Sequence, residues 1–298
     1  MQADWGQVLT AMVTPFDERL AIDEAGVARL VDHLFANGSD GLVVCGTTGE
    51  APTLSPDEKL RMFGLVKECA RGRGPVIAGS GDNETATTIE LSRAAEAVGA
   101  DGLLLVTPYY NKPSQEGLYR HFRAAAEAVS VPIVIYNVPG RTSVNMEPAT
   151  VARLAREAPN IVAVKEASGN MVQASEIVAA APEGFQVYSG EDGVVLPLLA
   201  VGAVGVISVT SHLVGRDLKA MHAAFRAGDT ARARRLHLRM LPIVHACFQS
   251  TTPSPVPVKA ALQMLGLPAG PLRLPLVEAT AREREVVASA LRAYGLLA

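Results

Sequence analysis

In the stretch Ile161-Val162-Ala163-Val164-Lys165-Glu166-Ala167-Ser168-Gly169, an apolar, β-branched run ends in a charge. Apolar residues without alternation describe a strand buried on both faces, as in parallel sheets. A lysine rarely closes such a strand, because burial disfavours the ionised ammonium. The chain has six lysines (Lys59, Lys67, Lys112, Lys165, Lys219, Lys259), and the other five lie in polar or helical-looking surroundings. A desolvated lysine is a nucleophilic amine able to form a Schiff base with a carbonyl, whereas at its ordinary pKa only about 1 in 2,500 is neutral at pH 7. Taken alone, a snorkelling lysine or one paired with Glu166 is the commoner occurrence. The rest of the chain reverses that weighting.

Comparable runs lie near 8–13, 41–45, 75–78, 102–106, 132–136, 185–189 and 203–208, and most are separated by amphipathic stretches. Ser55-Pro56-Asp57-Glu58 has the form of a helix start, with Ser as N-cap, Pro at N1 and Glu at N3. Eight strand–helix units predict an α/β fold, a (β/α)8 TIM barrel. A doubly wound sheet would need a dinucleotide fingerprint, and Gly79-Ser80-Gly81 does not continue as one. Beyond residue 226 the period changes to helices near 229–249, 256–265 and 277–295, with the Pro-rich segment 252–257 among them. The expected organisation is a barrel over 1–225 and a C-terminal helical extension over 226–298 packed on it.

With 298 residues, 49% hydrophobic and 19% charged, the chain has ample material for a core. A net charge of −3 gives no basic footprint for nucleic acid, and the run Arg232 to Arg239 fits a solvated helix face. Three scattered cysteines (Cys45, Cys69, Cys247) suit a reducing compartment rather than a disulfide framework or a zinc site. The amino terminus lacks the n-region and h-region of a secretory signal. Gly193 to Gly215 has no Asp, Glu, Lys or Arg, but Pro197, Gly202 and Gly205 divide it into a buried helix, a turn and a strand. The expected protein is soluble and cytoplasmic, with no membrane partner.

In such a barrel the chemistry sits at the carboxyl ends of the strands. The unusual polar groups fall there: Gly46-Thr47-Thr48-Gly49-Glu50, Tyr109-Tyr110-Asn111, Tyr136-Asn137 with Arg141-Thr142, Lys165, Ser189-Gly190-Glu191-Asp192 and Ser208. The Gly-Thr-Thr-Gly turn can cradle a carboxylate, or be only a tight turn. Tyr136 can pass protons beside the amine or merely fill the barrel. Arg141 offers a fork for a carboxylate, though a lone loop arginine is usually solvated. Glu191 and Asp192 fit a surface turn better than an acid pair, and Cys45 fits packing. The six histidines (His33, His121, His212, His222, His237, His245) are dispersed and form no metal motif. A pyridoxal-phosphate anchor at Lys165, with phosphate on the Gly-rich ends of strands 7 and 8, stays open on these residues.

Together, Gly46-Thr47-Thr48-Gly49-Glu50, Tyr109-Tyr110-Asn111-Lys112-Pro113, Tyr136-Asn137-Val138-Pro139 with Arg141-Thr142, and Val164-Lys165-Glu166-Ala167 resemble the dihydrodipicolinate synthase / N-acetylneuraminate lyase family. Gly205 to Thr210 and Pro257-Val258-Lys259 match as well, so the resemblance spans essentially the whole chain. It implies a Schiff-base enzyme with no cofactor and no metal. Lys165 would form an imine with pyruvate, whose carboxylate rests on Thr47 and Thr48. Thr47, Tyr136 and Tyr110 match the family's proton relay, with Tyr110 delivered from a neighbouring subunit of a homotetramer, a dimer of dimers. Gly190 and Ile207 match lining positions. Arg141 matches the residue that binds the carboxylate of L-aspartate 4-semialdehyde, and so favours the lysine-pathway synthases over lyases of 2-keto-3-deoxy sugar acids, N-acetylneuraminate or 4-hydroxy-2-oxoglutarate. A non-catalytic binding paralogue would be expected to lack part of this set. One departure bears on regulation: lysine-inhibited members carry polar or histidine side chains and a glutamate where this chain has Ala51, Pro56, Lys59 and Thr87. Weak or absent inhibition by lysine is expected.

Overall fold

A strand buried on both faces needs helices on one side and other strands' side chains on the other, and a closed barrel supplies both. The computed structural model describes residues 5–298, in which eight parallel strands close in chain order, the last pairing with the first. The strands are β1 (Val8–Ala11), β2 (Gly41–Val44), β3 (Val76–Gly79), β4 (Gly102–Val106), β5 (Ile133–Asn137), β6 (Ile161–Glu166), β7 (Gln186–Ser189) and β8 (Gly205–Ser208). The first four are followed in turn by α1 (Glu24–Ala36), α2 (Pro56–Ala70), α3 (Thr85–Ala97) and α4 (Gln115–Ala128). A single turn, α5 (Pro139–Thr142), and then α6 (Pro148–Glu157) follow β5. After β6, β7 and β8 come α7 (Met171–Ala180), α8 (Val195–Ala200) and α9 (Ser211–Arg226). The remaining helices are α10 (Thr230–Cys247), α11 (Val256–Met264) and α12 (Ala281–Tyr294).

Each strand serves two cores through its two-residue period. Leu9, Val43, Ile77, Leu104, Val134 and Ile207 pack inside the barrel, where Tyr136 and Tyr188 join them. Their neighbours Val8, Leu42, Val76, Leu103, Ile133 and Val206 face the helices. The strands are shorter than their apolar runs: β1 stops at Ala11, before Val13, and β8 starts at Gly205, after Ala203. Gly205 marks a close approach, since a Cβ there would stand 2.3 Å from the Gln7 carbonyl oxygen. The charge-free stretch from Gly193 divides into α8, β8 and the start of α9. No helix among the described residues is long and apolar enough to cross a membrane. The start of α2 is a capping box, with Ser55 Oγ accepting from the Glu58 N–H at 3.2 Å and the Glu58 carboxylate accepting from the Ser55 N–H at 2.9 Å.

The seam between β1 and β8 is tied by a histidine. His212 Nε2 accepts from the Val13 N–H at 3.2 Å, so its proton lies on Nδ1, which donates to the Val209 carbonyl at 2.7 Å. Charging this ring would break the first bond, and burial pulls its pKa down to about 4. Burial does the same to His121 and His222, each pulled down to about 4. In the unfolded chain these rings take up protons near the ordinary value, so between the two values the unfolded state binds more protons than the native one. Stability is therefore fully present above about pH 6.5 and declines as pH falls towards 4, on the order of 3 kcal/mol per ring. Urea midpoints measured across this window should fall steadily; a flat profile from pH 7 to 4.5 would contradict the assignment.

Candidate active site

Lys165 is the fifth residue of β6 and only 5% exposed. The strand register sets it beside Tyr136 on β5 and Tyr188 on β7. Residues in register on neighbouring strands share a face, so the ammonium meets the Tyr136 ring, with Nζ 4.1 Å from the ring centroid. No carboxylate among the described residues forms an ion pair with it. Pairing with Glu166, the commoner arrangement, does not occur, because consecutive strand residues point to opposite faces. The Glu166 carboxylate instead accepts from Asn137 Nδ2 (3.0 Å), Gln173 Nε2 (3.2 Å) and the Ser168 N–H (2.7 Å).

The Gly46–Glu50 turn follows β2. It closes by hydrogen bonds from the Gly49 N–H to the Gly46 carbonyl (3.0 Å) and from the Glu50 N–H to the Thr47 carbonyl (3.1 Å). Cys45 and Glu50, at its two ends, both adopt positive φ, a conformation that costs a non-glycine residue of order 1–3 kcal/mol. The side-chain hydroxyls of Thr47, Thr48 and Tyr136 make no hydrogen bond to another described residue. They stand available to a ligand. Cys45 is buried and its thiol is pushed up to about 12 by burial, which suits packing and not nucleophilic chemistry.

Sequence reasoning missed what lies behind this turn. Lys259, expected in polar or helical surroundings, is on a helix but wholly buried, and its Nζ stands 2.7 Å from Glu50 Oε1. Burial pulls the Lys259 pKa down while Glu50 opposes the shift. A separation of 209 residues leaves no local pattern that could have revealed the pair. The Glu191-Asp192 segment is also not a surface turn. Asp192 is buried, and its carboxylate accepts from Ser208 Oγ, Thr210 Oγ1 (2.8 Å) and the N–H groups of Val209 (3.0 Å) and Thr210 (3.3 Å). The hydroxyl and N–H donors at the end of β8 are thus taken up by a buried carboxylate, so these residues do not fit a pyridoxal-phosphate site. Among the described residues no group of three or more His, Cys, Asp or Glu is placed to hold a metal ion.

Arg141 lies on α5, with Nη2 3.5 Å from the Ser254 carbonyl oxygen. It shares with Thr47 and Tyr136 the wall of a cavity of about 730 Å³ that also reaches Lys59 and Thr87 on α2 and α3. Lys165, Thr48, Gly190 and Ile207 are not in that wall. Ile207 packs in the barrel interior with Tyr136, and Gly190 donates its N–H to the Glu166 carbonyl at 2.7 Å. Gly190 has no space for a side chain, since a Cβ would stand 2.5 Å from Ala167 Cβ. Tyr109 is in the cavity wall and donates its hydroxyl to Asp82 at 3.2 Å. Tyr110 stands apart, 89% exposed and at φ +71.

Glu191 is held above the ordinary carboxylate range by burial first and then by Asp192, with Lys165 and Arg141 pulling the other way. Its ionised form therefore costs the native state at neutral pH, a cost absent below both its native and unfolded values. Glu191→Gln should raise the denaturation midpoint at pH 7 and lose that advantage as pH falls below about 4. A lower midpoint at pH 7 would mean that the carboxylate is stabilised where it stands.

A family model described as the dihydrodipicolinate synthetase family matches residues 4–294. A 4-hydroxy-tetrahydrodipicolinate synthase of Moorella thermoacetica is 57% identical over 98% of this chain and 99% of its own length. The lysine-bound dihydrodipicolinate synthase structure of Cyanidioschyzon merolae superposes with a TM-score of 0.96 at 44% identity, covering 98% of this chain and 99% of that one. The chloride-inhibited enzyme of Acinetobacter baumannii, complexed with pyruvate, gives 0.94 at 39% identity over 99% and 100% of the two chains.

Proposed function

The chain belongs to the dihydrodipicolinate synthetase family, and on that footing we propose that it condenses pyruvate with L-aspartate 4-semialdehyde to 4-hydroxy-tetrahydrodipicolinate, a step of lysine and diaminopimelate biosynthesis. The observation that carries the reading is the buried Lys165 ammonium against the Tyr136 ring, with no carboxylate of the described residues paired to it. Such an amine, once deprotonated, is free to attack a carbonyl.

Lys165 Nζ adds to the C2 carbonyl of pyruvate and water leaves, giving an imine. Loss of a methyl proton yields the enamine, whose carbon bonds to the aldehyde carbon of the second substrate while the aldehyde oxygen takes up a proton. The second substrate's amine then attacks C2, and Lys165 departs as the ring closes. Thr47 and Thr48 hold the pyruvate carboxylate through a turn whose hydroxyls are uncommitted, and Thr47, Tyr136 and Tyr110 relay protons. Gly190, which has no space for a side chain, and Ile207 line the site. The exposure of Tyr110 supports its delivery to the site of a neighbouring copy, in a cytoplasmic homotetramer built as a dimer of dimers. Arg141, in the cavity wall, binds the carboxylate of the aldehyde substrate bidentately.

A substrate panel tests this reading. Condensation of pyruvate with aspartate semialdehyde should far exceed cleavage of 2-keto-3-deoxy sugar acids, N-acetylneuraminate or 4-hydroxy-2-oxoglutarate, and the reverse order would overturn it. Arg141→Leu should raise KM for the semialdehyde at least about tenfold, roughly 1.4 kcal/mol, with KM for pyruvate within about twofold.

The outer part of the cavity bears on regulation. A lysine bound there would find Thr87 in place of a carboxylate and the like charge of Lys59, with Glu90 exposed one turn beyond. Initial rates should be unchanged by micromolar lysine. Half-inhibition in that range would contradict the assignment.

A further inference from the structure

The Glu50–Lys259 pair is withdrawn from solvent, its side chains 0% and 1% exposed. Each hydrogen of the ammonium has an acceptor: Glu50 Oε1 at 2.7 Å, the Thr14 carbonyl at 3.1 Å and the Pro271 carbonyl at 2.6 Å. The other Glu50 oxygen accepts from the Arg273 N–H at 3.1 Å. The Phe16 ring covers the cation, with its centroid 4.7 Å from Nζ. A buried ion pair, even a satisfied one, often contributes no more stability than apolar residues of the same volume. What such a pair can supply is a single geometry.

The geometry it fixes is that of the turn above it. Glu50 donates its N–H to the Thr47 carbonyl, and its own carbonyl accepts from the Thr53 N–H and hydroxyl. Thr14, whose carbonyl holds Lys259, donates its hydroxyl to the Gly49 carbonyl at 2.7 Å. The turn is thus gripped at Gly49 and Glu50, while the hydroxyls of Thr47 and Thr48 are left for a ligand.

We propose that the Glu50–Lys259 pair is a positioning device that sets the Thr47–Thr48 turn for the carboxylate of pyruvate, which makes α11 a working part of the active site. The inference rests on the reaction assigned above. It predicts a kinetic effect separable from folding. Glu50→Met/Lys259→Met removes both charges without leaving either unpaired, though it frees the Thr14 and Pro271 carbonyls and the Arg273 N–H, so it should fold with a denaturation midpoint lowered less than that of Lys259→Met. Its KM for pyruvate should rise at least tenfold, with KM for aspartate semialdehyde changed less than twofold. Glu50→Gln, which keeps an oxygen for Lys259, should give an intermediate KM. Lys259→Met, which strands a buried carboxylate, should be the least stable of the three.

A folded double variant with unaltered KM for pyruvate would overturn the proposal. Equal rises for both substrates would also overturn it, by reporting general loosening, and so would failure of all three variants to fold. The unaltered protein, assayed alongside, separates the reaction from the positioning of the turn. If it does not condense the two substrates, the assigned reaction fails, whereas if it does and the variants keep its KM for pyruvate, only the positioning device fails.

Discussion

An ammonium pressed against an aromatic face at the end of a doubly buried strand is the arrangement on which the rest of this barrel depends. The Lys165 Nζ stands 4.1 Å from the centroid of the Tyr136 ring, and no carboxylate of the described residues pairs with it. Lys259 makes the contrast plain. That lysine is buried more deeply still, yet a carboxylate and two carbonyls satisfy it completely. Lys259 is held in one place by three acceptors, whereas Lys165 meets an aromatic face and forms no ion pair with a described residue.

Keeping an unpaired cation at the mouth requires the surrounding strand ends to be fixed by other means. The end of β8 is fixed by Asp192, which gathers Ser208, Val209 and Thr210, and the β1–β8 seam by the neutral ring of His212. The end of β6 is fixed by Glu166 through Asn137 and Gln173, on the face opposite Lys165. The turn after β2 is fixed from below by Glu50, and through it by α11. Each anchor is a buried polar group with nearly every bond made, and such groups lock one geometry because a half-satisfied alternative is costly. The helices beyond the barrel therefore contribute to the shape of the mouth as well as to burial.

The barrel was legible because each strand is apolar on both faces, so eight β-branched runs stand out from the amphipathic helices between them. Their limits were not, because apolar residues such as Val13 and Ala203 continue past the ladder. Lys165 was legible as an anomaly of pattern, and the two-residue period could have ruled out Glu166 as its partner. Asp192 carries no local sign of burial, since its donors come from the next strand and the turn after it. Glu50 and Lys259 lie too far apart in sequence for any local rule to join them, and Tyr110 stands exposed and outside the cavity wall that holds Tyr136.

The most direct test of the central claim is reduction with borohydride in the presence of pyruvate, followed by peptide mass mapping. One pyruvate-derived adduct is expected, on the peptide containing Lys165, and none on Lys259. An unmodified Lys165, or an adduct on Lys112 or Lys259 instead, would contradict it.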